Sequence, residues 1–190
     1  MSNISAVKTF EKPRLSLRAK TIYTIATIAG AVVLPQISHT LGAVSGLGTS
    51  VGEAFLPMHL PIILAGLLAG PFVGAVSGFL APIISYALSG MPLITMLPFM
   101  AIELCAYGLF AGLLSSVKMP SAVKVLIVQI AGRLVKAAAI ATSFYVFGSE
   151  SVQVASVFTS VLTGIFGIAL QLVIIPLIIY RTEHSKKYEN

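Results

Sequence analysis

Three ionisable residues stand inside otherwise apolar runs of this chain: Glu103, Arg133 and Lys136. A charge at the centre of a bilayer costs roughly 2.5–3.5 kcal/mol even on permissive insertion scales, so such groups face a partner or a wet cavity. Their spacing places them on stripes. Gln129, Arg133 and Lys136 fall at i, i+4 and i+7 of one helix face, and Glu103 and Tyr107 at i and i+4 of another. Two chemistries fit. Glu103 and Arg133 form a structural ion pair that fixes helix packing, or the same groups line a solute cavity. In the second case Lys136 is the unpaired cation and meets an anionic solute, unless it snorkels outward along its own stem.

His59 sits in Pro57-Met58-His59-Leu60-Pro61. Two prolines at that spacing predict a stiff, non-helical segment with free backbone groups, which a membrane tolerates where it lines a cavity. His59 is then either a hydrogen-bonded packing residue or a ligand contact. His39 and Gln36 lie across the following loop and could help close the same mouth. His39, His59 and Cys105 do not make a recognisable metal-ligand set. Gly42-Ala-Val-Ser-Gly46 recurs at Gly74-Ala-Val-Ser-Gly78, but the serine is misplaced for a nucleophile elbow. The chain has neither a zinc-protease helix motif nor a phosphate loop. No enzymatic activity and no cofactor are expected, and any ATP is used by another chain.

The elements that must position these groups are apolar helices. Of 190 residues 57% are hydrophobic and 9% charged, where a soluble domain carries about 25%; the mean hydropathy is +0.98. This is the composition of a multi-pass membrane protein, all-α, with six crossings expected near residues 20–41, 56–70, 72–89, 92–116, 121–147 and 152–179. Gly42 to Ala54 reads as a loop, and Pro35 as the end or a kink of the first segment. Cys105 is the only cysteine, so no internal disulfide forms.

Gly66, Gly70, Gly74 and Gly78 recur every four residues, about one helical turn, and predict a bare stripe for close helix packing. Pro71 predicts a break between two short helices, 56–70 and 72–89, either as two full crossings or as a re-entrant hairpin. Residues 1–19 read as a basic tail or interfacial segment rather than a cleavable signal peptide, with Pro13 able to start a short helix and Arg14, Leu15, Leu17 and Arg18 on the membrane surface. Residues 20–180 read as a single six-helix domain, and 181–190 as a charged tail.

Orientation follows from Lys and Arg. With the N-terminus inside, the inner face receives Lys8, Lys12, Arg14, Arg18, Lys20, Lys118, Lys124, Arg181, Lys186 and Lys187; the outer loops carry only Glu53 and Glu150. Both termini are therefore expected in the cytoplasm. The net charge of +6 is explained by topology, which removes the case for nucleic-acid binding.

Phe55-Leu-Pro-Met-His-Leu-Pro61, Leu-Ala-Gly-x3-Gly-Pro71, Gly90-Met-Pro92, Ile102-Glu-Leu-x2-Tyr-Gly108 and Gly132-Arg133 resemble the substrate-binding S components of energy-coupling factor (ECF) vitamin transporters. The likeness runs from about residue 20 to 180 and is greatest to the group with pantothenate and cobalamin S components. It implies a subunit of a prokaryotic plasma membrane that binds a vitamin from outside. That subunit associates with a shared transmembrane scaffold and two cytoplasmic ATPases, and tips over to release the vitamin inside. It also implies that small residues on the first helix, here Ala26 and Gly30, dock the scaffold, with Gly30 where the family has Ala. The 42–54 loop would cover the site.

Among vitamins, pantothenate suits the unpaired cation best, with Lys136 or Arg133 joined by Tyr107 and His59; Glu103 and Gln129 complete the expected site. Cobalamin, far bulkier, needs a wide and shallow mouth. Two rivals remain open. A structural membrane protein explains the glycine stripe but not three buried charges, and a stand-alone ion-coupled transporter is expected to carry more carboxylates than Glu103.

Overall fold

The computed structural model describes residues 15–48, 50–146, 148 and 156–188. Lys8, Lys12, Pro13 and Arg14 of the expected basic tail, Glu150, and the start of the expected sixth segment lie outside the described residues. Eight helices are described: α1 (Leu17–Val44), α2 (Ser50–Phe55), α3 (His59–Ala69), α4 (Pro71–Ser89), α5 (Leu97–Leu114), α6 (Ser121–Tyr145), α7 (Ser156–Thr163) and α8 (Ile165–Tyr188). α1, α4, α5, α6 and the 165–182 part of α8 are long and apolar enough to cross a bilayer. α3 has 11 residues, about 16 Å of helix at 1.5 Å per residue, half of a hydrocarbon core about 30 Å thick.

Local sequence explains most of the boundaries. Ser16 caps α1 by accepting the Ala19 N–H at 3.2 Å. Gly70 takes φ +96° between α3 and α4, a conformation that L side chains avoid, and Pro71 starts α4 where its missing N–H is not needed. Gly90, at φ +70°, closes α4. Four expectations are corrected in whole or in part. α1 runs through Pro35 for 28 residues, so the first segment does not end there and the kink is the reading left for that proline; membrane helices tolerate such prolines where neighbours re-satisfy the freed backbone. The sixth segment is divided at Gly164 into α7 and α8. The expected 42–54 loop contains α2, and α8 continues helically through most of the expected tail.

The glycine stripe explains the tightest seam. A Cβ at Gly66 would stand 2.5 Å from the Gly108 carbonyl oxygen, and Cβ atoms at Gly74 and Gly78 would strike the backbone of Gly108 and Leu104. Gly112 of α5 meets Pro71 in the same way. α4 and α5 therefore touch backbone to backbone, antiparallel, as small residues allow in lipid. α5 is the central helix: half of its most apolar stretch is buried, against 22% for α1. Leu104, Tyr107 and Ala111 of α5 pack with Ile62, Ile63 and Leu67 of α3, Val125 and Val128 of α6, and Ile175 of α8. The outside is apolar, with Ile22, Ile25, Phe72, Phe79, Leu134, Phe166 and Leu177 all exposed, as lipid contact requires.

Contacts at the two ends give the bundle a polarity. At one end the Lys20 ammonium lies 5.9 Å from the Phe72 ring centre, and Lys124 donates to the Ser115 carbonyl at 3.0 Å. At the other end the Gln36 amide donates to the Ser89 hydroxyl at 2.8 Å. α1 and α4 thus run parallel, with their starts at the lysine-bearing end.

Candidate functional site

The ends of α1 and α4, the starts of α3 and α5, the second half of α6 and α7 enclose a cavity of about 420 Å³. It lies at the end of the bundle away from Lys20 and Lys124. Small-molecule sites span about 300–1,000 Å³. The wall is mostly thioether and aliphatic, with Met58, Met91, Met96, Met100, Leu56 and Leu93; a polar face carries His59, Glu103, Arg133 and Lys136. Met side chains adapt to irregular shapes, which suits a ligand wall.

Glu103 is the hub of the polar face. It is 1% exposed. Lys136 Nζ lies 2.9 Å from Oε2, Arg133 Nη1 lies 3.5 Å from Oε1, and the Tyr107 hydroxyl donates to Oε1 at 3.0 Å. Lys136 is therefore not left over, as the sequence spacing suggested; it is the nearer of the two cations. One turn beyond Arg133 on α6, it faces α5 as Arg133 does, so both converge on one carboxylate. The cluster still holds two cations against one carboxylate.

The helices set this geometry. The Tyr107 ring packs against Gly132, where any Cβ would strike it. That close approach brings α6 against α5 and places Arg133, the next residue, beside Glu103. Arg133 Nη1 also donates to the Ser160 hydroxyl at 3.0 Å, which ties α6 to α7. His59 is buried at the start of α3, its ring centre 5.1 Å from that of Tyr107. Neither ring nitrogen of His59 has a hydrogen-bond partner of good geometry, and the same holds for Arg133 Nε and Nη2. Buried donors without acceptors are costly, and a ligand that brings acceptors can satisfy them.

Of the six residues expected to touch solute, His59, Glu103, Arg133 and Lys136 line the cavity. Tyr107 is fully buried beneath Glu103. Gln129 is also buried and donates to the Gln171 side-chain carbonyl of α8. Gln171 in turn donates to the Leu56 carbonyl at 3.3 Å. Leu56 holds φ +48°, the one positive φ outside glycine among the described residues, and lines the cavity. Gln129 is thus joined, through Gln171, to the turn between α2 and α3.

Sequence reasoning missed Ser85, Thr159, Ser160 and Thr163, all on the wall. The signal was a hydroxyl stripe, since Thr159, Ser160 and Thr163 share one face of a short helix. His39 lines the mouth and lies against Gly52 of α2; Gln36 instead joins α1 to α4. Among the described residues no three of His, Cys, Asp and Glu gather to hold a metal.

A family model for the ECF transporter, substrate-specific component, matches residues 20–179. The chain belongs to this family. Comparison with individual curated proteins and with solved structures gave no match. As an ECF substrate-specific component the chain is an integral membrane protein and a transporter subunit, not an enzyme. It binds a small molecule without a cofactor and works with a scaffold and ATPase modules, and the ATP is used by those partners.

Proposed function

We propose that this ECF substrate-specific component takes up pantothenate. The observation that carries the reading is the cavity of about 420 Å³ whose buried polar face holds one more cation than carboxylate. Pantothenate is a small monoanion with hydroxyl and amide groups along a flexible body. Its size suits the volume, its charge suits the excess, and its body suits the methionine wall. Arg133, Lys136, His59 and Glu103 contact the solute, while Tyr107 and Gln129 support them from behind.

Cobalamin is several times larger than this cavity, which counts against it. The positive-inside pattern and the gathering of Lys20 and Lys124 at the far end support a cavity that opens outward, with both termini in the cytoplasm of a prokaryotic cell. Residues 20–180 form the membrane domain, with α3 and its turn completing a sixth segment; 1–19 and 181–190 are cytoplasmic tails. Ala26 is exposed on α1 and Gly30 half-buried, and this face docks a scaffold shared by two ATPases.

Titration of the purified chain, without partners, with labelled pantothenate and separately with cobalamin tests this. Tight pantothenate binding with no cobalamin binding is expected. Tight cobalamin binding alone overturns the substrate and keeps the family.

A further inference from the structure

Arg133 carries five donors on a planar fork and stays charged at any physiological pH. One nitrogen, Nη1, serves both Glu103 and Ser160. Nε and Nη2 are buried with no hydrogen-bond partner. These two nitrogens form the edge of a guanidinium that a carboxylate fits with two parallel bonds. Lys136 offers nothing comparable, because its ammonium is 2.9 Å from Glu103 Oε2. Of the two Glu103 oxygens, Lys136 holds one and the Tyr107 hydroxyl supports the other. The excess positive charge of the cluster therefore falls on Arg133.

We infer that the Nε–Nη2 edge of Arg133 is the anchor for a carboxylate group of the solute, and that Lys136 serves to neutralise Glu103. This rests on reading the cavity as a site for a small vitamin, and it assigns the recognition of the acid group to one residue. Both nitrogens are buried, so pairing with a carboxylate requires the guanidinium to turn toward the cavity that Arg133 lines. That turn gives up one bond to the Ser160 hydroxyl and gains two charge-assisted bonds, each about twice as strong as a neutral one. It also supplies acceptors to two donors that have none within the protein. A solute with an alcohol or amide in place of the acid has no matching pair of acceptors.

The test uses the full chain in detergent and three pairs of probes: pantothenate with panthenol, biotin with biotinol, and nicotinate with nicotinamide. Each is titrated against the wild type, Arg133→Lys and Arg133→Ala. Both variants leave Glu103 paired with Lys136, and Arg133→Lys also keeps the charge. The expected result is that one acid binds at least about tenfold tighter than its neutral partner, the equivalent of one charge-assisted bond. Arg133→Lys should lose that preference, the acid weakening at least about tenfold more than its neutral partner. If the preferred acid is not pantothenate, the substrate proposal fails and the anchor stands. If pantothenate and panthenol bind alike, or if the preference for acid survives in Arg133→Lys, the anchor is overturned while the substrate proposal stands. Failure of all three acids to bind also overturns the anchor.

Discussion

The Lys136 ammonium lies 2.9 Å from Glu103 and the Arg133 guanidinium 3.5 Å from the same carboxylate. Two helices thus bring three charges together in an interior that is otherwise uncharged among the described residues. Glu103 is the only carboxylate within reach of both cations among the described residues, so its removal should be felt at once. Replacing one partner of a buried ion pair costs about 3–5 kcal/mol, because the other is left uncompensated. Glu103→Gln is expected to lower the thermal unfolding midpoint in detergent markedly. The double variant Glu103→Gln/Lys136→Met should recover part of the loss. An unchanged midpoint in the single variant would mean that solvent already screens the cluster.

The seam between α4 and α5 gives a second expectation. A Cβ at Gly108 would enter the space of the Gly74 carbonyl, and neither backbone can move without displacing a whole helix. Overpacking of this kind costs about 1–3 kcal/mol or more. Gly108→Ala should therefore destabilise the chain in a thermal melt. Gly30→Ala is the contrast, because the nearest atom to its Cβ is Pro61 Cβ at 3.8 Å, an ordinary contact. It should be neutral or slightly stabilising, since Ala is the better helix former.

Gln171 lies far from the charged cluster in sequence, yet it holds the Leu56 carbonyl and receives the Gln129 amide. Gln171→Leu should cost about 1–3 kcal/mol, the penalty for a buried polar group left without its partner. Because Leu56 lines the cavity, solute affinity should fall as well. Stability loss with unchanged affinity would show that the Leu56 turn holds its shape without the two amides.

Docking through α1 is separable from solute binding. Ala26 is exposed on α1 and does not line the cavity. Ala26→Leu should reduce co-purification with the ECF scaffold, because a bulky side chain prevents close backbone approach. Titration of the isolated variant with the solute should match the wild type. Normal assembly of Ala26→Leu would move the docking face elsewhere.

Much of this arrangement was legible in the sequence. Charges in apolar runs are expensive, so Glu103, Arg133 and Lys136 announced a partner or a cavity. Gly70-Pro71 announced a break because both residues act locally on the backbone. The remainder depended on tertiary contacts. Which cation sits nearer Glu103 is set by the rotation of α6 against α5, which in turn depends on the Tyr107 ring lying on Gly132. Pro35 reads as an end or a kink because its local effect is the same in water and lipid, while the neighbours that carry the helix past it are distant in sequence. At Gly164, Leu56 Cδ1 would lie 2.7 Å from a Cβ, so the need for glycine there comes from a residue more than a hundred positions away. Gln171 was a lone amide in an apolar run, a signal that was present and went unread.

The most direct test of the account is a structure of the chain with pantothenate bound. The solute should lie in the cavity between α1, α3, α5, α6 and α7, with its acid group on Arg133 and its body against Met96 and Met100. Solute density elsewhere on the chain, or an empty cavity in a preparation that has demonstrably retained the vitamin, would contradict it.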